Sequence, residues 1–135
     1  MINKSKKIQS EISAGELFDK ISILEIKLDK VKNENNLKII NKEYKSLKES
    51  QDSNIKTTEK TKKLYDEIKE INLKLWDIED NIRICEKNKD FGKKFIELAR
   101  LVYITNDQRS KTKSKINELL GSNIKEIKQY EDYLL

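Results

Sequence analysis

The sequence predicts an all-α fold, an antiparallel bundle of about four main helices followed by a short C-terminal helix. Composition is the first ground. The chain holds no proline and three glycines in 135 residues, so it is poor in turn chemistry and rich in helix formers. Periodicity is the second. Apolar residues recur at steps of three and four, the spacing of an amphipathic helix rather than of a strand. With 36% hydrophobic and 39% charged residues, most helix faces must be solvated. The length fits one domain. Residues 1–12 read as a flexible basic lead, and residues 13–135 as a single helical-bundle domain.

The first helix opens on a capping box, Ser13-Ala14-Gly15-Glu16, with Ser13 as N-cap and Glu16 at the third helical position. Ile12 and Leu17 are placed for a hydrophobic staple. Leu17, Ile21, Leu24, Leu28 and Val31 then share one face, and the helix should end near Lys32–Asn36. A weaker helix follows from about Leu37 to Glu49, with Ile40, Tyr44 and Leu47 inward. Ser50–Thr58 gathers residues that compete with helical backbone, so it reads as a loop. The third helix spans Glu59 to Lys87 and keeps helical spacing from Leu64 to Cys85. Asp90 can cap a fourth, whose stripe runs from Phe91 and Phe95 to Leu120. Gly121 is placed as its stop, and Ser122 as the cap of a last short helix reaching Tyr133.

That fourth stripe changes chemistry midway. Phe95, Leu98, Val102, Asn106, Arg109, Lys113, Ile116 and Leu120 keep three- and four-residue steps, so they share a face. If the helix is straight, Arg109 and Lys113 point inward, where an acidic partner, solvent or an anionic ligand must meet them. A kink near Thr105–Ser110 would instead turn Arg109 outward. The third helix offers Asn72, Glu79, Arg83 and Glu86 on one strip with Trp76, and the first offers Lys20 and Lys27 beside its stripe, with Glu25 on the other flank. Lys20, Lys27, Glu79, Arg83, Glu86, Asn106, Arg109 and Lys113 are the candidate ligand-binding residues. Cations outnumber carboxylates among them, and arginine offers a fork suited to carboxylate or phosphate.

The chain has no histidine, which excludes Ser-His and Cys-His nucleophile pairs and any His-based metal site. Catalysis, if present, would rest on Glu79 or Glu86 as acid or base, with Arg83, Arg109 and Lys113 stabilising negative charge. No catalytic group, metal site or cofactor is assigned. Cys85 is the single cysteine, so no internal disulfide forms and a reducing cytoplasm is the expected home. No apolar run is long enough to span a membrane. The N-terminus is basic but lacks the apolar segment of a signal peptide. A net charge of +5 is spread over every helix without a basic stripe, so no specific nucleic-acid partner is expected.

Three stretches, Ser13–Lys27, Leu75–Arg109 and Lys115–Tyr133, resemble a bacterial family of unknown function. Its members occur in marine bacteria and their viruses, sometimes near glycosyltransferase or surface-polysaccharide genes. The resemblance covers most of the chain outside Lys32–Lys63, and it implies a shared fold with no activity to carry over. A looser likeness is to the all-α nucleoside triphosphate pyrophosphohydrolases, through Glu16-x-x-Asp19 and Glu67-x-x-Glu70. The order of the two pairs is reversed, and on helical phase both read as solvated surface.

The leading expectation is a protein that binds a small phosphate- or carboxylate-bearing ligand in a cationic pocket between helices. Its first alternative is a structural or interaction module, a partner of glycan-assembly enzymes or a homo-oligomer. That reading is motivated by Ile23 and Ile26, which give the first helix a second apolar side. Its second alternative is a pyrophosphohydrolase-like enzyme.

Overall fold

The computed structural model describes residues 5–133; what the sequence suggests of residues 1–4 and 134–135 lies outside that range. Four helices follow in order: α1 Ala14–Lys30, α2 Glu34–Asn54, α3 Glu59–Lys87 and α4 Lys93–Leu119. No strand occurs among the described residues. Helix α1 packs against all three others, α3 and α4 pair along their length, and α2 packs against α1 alone. The bundle is thus built around α1, the shortest helix.

That central place explains its burial. Leu17, Ile21 and Leu24 are buried as their stripe predicts, but Phe18, Asp19, Ser22 and Ile26 are buried as well. Phe18 meets Ile68 of α3 and Ile116 of α4 in the core, edge-on to Tyr65 at 5.7 Å. On the second apolar side of α1, Ile26 is 2% exposed and covered within the chain, while Ile23 is half-buried. Glu25 ties the outer helices to α1, accepting from the hydroxyls of Tyr44 on α2 and Tyr65 on α3 and pairing with Lys69.

Helix α3 has the bounds its sequence predicts. Thr58 and Thr61 cap it reciprocally: each backbone N–H donates to the other's hydroxyl. Helix α2 runs further at both ends than its sequence suggests. Asn33 caps its start, and the polar run Ser50–Asn54 is helical rather than a loop. Ser50, Asp52, Ser53 and Asn54 are exposed, so their side chains do not force the backbone out of the helix. Helix α4 is continuous through Thr105–Ser110, without the kink that would have turned Arg109 outward. At about 1.5 Å per residue, α1 is about 25 Å long and α3 and α4 about 40 Å. The α3–α4 hairpin therefore reaches beyond α1.

Gly121, with φ of 59°, stops α4 as expected. The Ser122 N–H reaches back to the Asn117 carbonyl and the Gly121 N–H to that of Glu118, a Schellman closure. The final helix does not form. From Asn123 to Tyr133 the chain has no regular structure and lies along α4 as a strap. Ser122 is unavailable as its cap, because its hydroxyl accepts from the Ala14 N–H at 3.1 Å and donates to the Ile124 carbonyl at 2.8 Å. It serves the start of α1 instead. The Gly15 N–H goes to Asn117 Oδ1 at 2.7 Å and the Glu16 N–H to Ser13 Oγ at 3.1 Å. Side chains thus satisfy the N–H groups of Ala14, Gly15 and Glu16, which have no partner within the helix.

Candidate functional site

Because α4 is straight, Arg109 and Lys113 do point into the bundle, and carboxylates meet them. Arg109 grips Asp19 with two hydrogen bonds, from Nε to Oδ1 at 2.8 Å and from Nη2 to Oδ2. Asp19 is 1% exposed. Asn72 of α3 completes its shell, donating from Nδ2 to Asp19 Oδ1 at 2.9 Å and to Ser22 Oγ at 2.8 Å. Lys113, one turn along α4, donates to Glu16 at 2.6 Å and to Glu126 of the strap at 3.1 Å. The inward cations therefore belong to a compensated network joining α1, α3, α4 and the strap.

Its electrostatics are mutually reinforcing. Burial alone would raise the Asp19 pKa, but hydrogen bonds from Arg109 and Asn72 and the charges of Arg109 and Lys113 outweigh it. The carboxyl is held below its ordinary range. The hydrogen bond to Asp19 in turn raises Arg109. Lys113 loses to burial and gains more from Glu16 and Glu126, so it too is raised. Glu126 is lowered by its bond to Lys113.

Asp19 is the residue that the sequence reading misplaced. Taken against the stripe of Leu17 and Ile21 it reads as solvent surface, yet it faces α3 and α4. A signal for this was present: Gly15, Asp19, Ser22 and Ile26 step by four, three and four, which is core spacing for a second face. Glu16 shows a related departure. Its carboxylate leaves the capping box and goes to Lys113 and Lys20. Glu67 accepts from Thr112 and Lys115. Glu16, Asp19 and Glu67 thus have separate cationic or hydroxyl partners, and no metal-holding group of carboxylates occurs among the described residues.

The candidates divide into those the fold gathers and those it separates. Glu79, Arg83, Asn106 and Arg109 line one groove of about 470 Å³, together with Ile26 and Trp76. Apolar Ile23, Ile26, Leu75 and Trp76 line it beside charged Glu79, Asp80, Arg83 and Arg109. Arg83 is largely exposed and folds onto Glu79 in an i,i+4 pair. Arg109 keeps one amino group, Nη1, outside its grip on Asp19; at 3.4 Å it makes only a long contact with Asn106 Oδ1. Lys20 is half exposed and pairs with Glu16, Lys27 is partly buried on α1, and Glu86 sits near the hairpin turn with Lys89. These three stand outside the groove, as does Lys113. Asp80 also lines the groove, so with Glu79 on Arg83 and Asp19 on Arg109 the gathered cations have no excess over the carboxylates around them.

No curated protein and no solved structure matches the chain. A family model described as a family of unknown function, DUF6165, matches residues 8–134, and with nearly its whole length covered the chain belongs to that family.

Proposed function

We propose that the groove between α1, α3 and α4 binds a small ligand that joins a flat apolar part to one carboxylate or phosphate group. One observation carries this: Asp19 fixes Arg109 by Nε and Nη2 and leaves Nη1 outside that grip, on a residue that lines the groove with Arg83, Asn106 and Trp76. A guanidinium already oriented by a buried carboxylate loses little freedom when it takes a second acceptor. Trp76 and Ile26 supply the apolar contact, and Arg83 can leave its exposed partner Glu79 at small cost. With Asp80 and Glu79 also on the groove there is no surplus of cations, so a single anionic group reaching Arg83 and Arg109 suits it better than a polyphosphate.

Calorimetric titration with benzoate and phenyl phosphate, against benzyl alcohol as the neutral control, tests this. Saturable binding of the anions is expected, and Arg83→Ala should weaken it about tenfold, the worth of one charge-assisted hydrogen bond. Lys27→Ala should leave it unchanged. Equal binding of benzyl alcohol, or indifference to Arg83→Ala, would overturn the reading.

A second reading, an interaction module, draws on the hairpin turn. Ile84, Phe91 and Ile96 are each about half exposed there, and Phe91 stacks edge-on with Phe95. Those apolar groups lie where α3 and α4 outrun α1, and they would suit a partner chain.

A further inference from the structure

Asn106 also borders a second cavity, of about 530 Å³, between α4 and the strap. Its character is different. Tyr103 of α4 and Tyr133 of the strap meet edge-to-face at 5.3 Å and 83°, so their rings form two perpendicular walls. Tyr130 lines the same space and is 75% exposed, its ring uncovered by protein. Asp107 and Glu131 add two carboxylates, and the Tyr133 hydroxyl donates to Asp107. The one lining cation, Lys128, lies 3.7 Å from Glu126 and is partly neutralised by it.

We propose that this cavity is an aromatic cage for a quaternary ammonium group, walled by Tyr103, Tyr130 and Tyr133 and countered by Asp107 and Glu131. The chemistry excludes the alternatives in turn. An anion would meet two carboxylates and the negative faces of three rings. A neutral apolar ligand would find the rings but strand the carboxylates. A quaternary ammonium has a diffuse positive charge, no N–H to satisfy and methyl groups that lie on ring faces, so it uses both features at once. The volume suits a small ligand. The strap supplies two of the three walls, which gives the unstructured C-terminal segment a role in forming the site. This site is independent of the groove beyond Asn106, and its ligand has the opposite charge.

Calorimetry on the full chain with choline and with its uncharged isostere 3,3-dimethylbutan-1-ol is the test. Choline should bind saturably and at least about tenfold more tightly than the alcohol, as expected of a cation shared among several partly exposed rings and two carboxylates. Tyr130→Ala should remove about tenfold of that affinity and Tyr130→Phe should retain it, since the ring and not the hydroxyl does the binding. Tyr130 lies outside every helix, so helical circular dichroism should be unchanged in both variants. Flotation with phosphatidylcholine vesicles distinguishes the source. Co-flotation lost in Tyr130→Ala assigns a lipid headgroup, and choline binding without co-flotation assigns a soluble cation. Equal affinity for the alcohol, no binding of choline, or choline binding unaffected by Tyr130→Ala would overturn the proposal.

Discussion

Asp19 and Lys113 are both buried charges, and the difference between their surroundings sets what each contributes. Asp19 holds both oxygens on Arg109 and shares one with Asn72, and it has no route to water. Asp19→Ala leaves the Arg109 guanidinium and the Asn72 amide without their acceptor in a largely dry site. The expected cost is about 3 kcal/mol in urea-induced unfolding, at the lower end for a broken buried pair because Arg109 keeps some exposure to the groove. Lys113→Met removes a cation whose partners, Glu16 and Glu126, are 29% and 46% exposed in their side chains and can turn to solvent. It should cost about 1 kcal/mol or less, because truncation strands no buried charge. Phase along α4 points these two cations inward on a straight helix, and only the structure removed the alternative of a kink near Thr105–Ser110. The sequence did not show what they meet, because the face of Asp19 is marked only by Gly15, Ser22 and Ile26, and Gly15 is most simply read as part of a helix start. Burial of a carboxylate is a tertiary fact that depends on which helix is central.

At the scale of the element, the first turn of α1 makes a close junction with α4. A Cβ on Gly15 would lie 2.5 Å from the Lys113 carbonyl oxygen and 2.9 Å from Asn117 Oδ1. Backbone cannot yield as a side-chain tip can, so α1 and α4 would have to separate. Gly15→Ala should therefore destabilise by about 2 kcal/mol in chemical denaturation, more than offsetting the better helix propensity of alanine. Gly92→Ala is the contrast. Its Cβ would meet only Asp90 Oδ1, at 3.5 Å, and the change should be within about 0.5 kcal/mol of neutral. Helix α1 was legible because its cap and apolar period agree, and α3 because its apolar period runs from Leu64 to Cys85. The strap was not. Ile124, Ile127 and Tyr130 have helical spacing, but Ser122 is taken by α1 and Glu126 by Lys113, so local signals lost to tertiary partners.

For the whole molecule, packing is uneven. Every residue of α2 keeps some exposure, none is classed with the core, and the helix rests on α1 alone. Helices α3 and α4 embrace each other and α1. Stability should follow that division. Native-state hydrogen exchange is expected to show α2 amides exchanging through a local opening well below the global unfolding free energy, with the amides around Ile68 and Ile116 protected to the global limit. Uniform protection across all four helices would contradict this layout. The stretch outside the family resemblance noted from sequence, Lys32–Lys63, contains α2, so the loosely held helix is also the one whose sequence said least.

The seam between the start of α1 and the end of α4 has a consequence for the route by which the chain reaches this state. Gly15 and Asn117 are separated by 102 positions, and Ala14 and Ser122 by 108. Closing so long a loop loses chain entropy before any contact is gained, whereas α3 and α4 are neighbours joined by a short turn. The α3–α4 hairpin is then expected to form early and α1 to dock late, with Asp19 meeting Arg109 at that step; high φ-values in α3 and α4 and low ones in α1 would show it. The buried ion pair becomes a register check at that step: α1 displaced by one turn toward its start would set Ser22 or Ile23 against the guanidinium, and neither supplies the charge that Asp19 does.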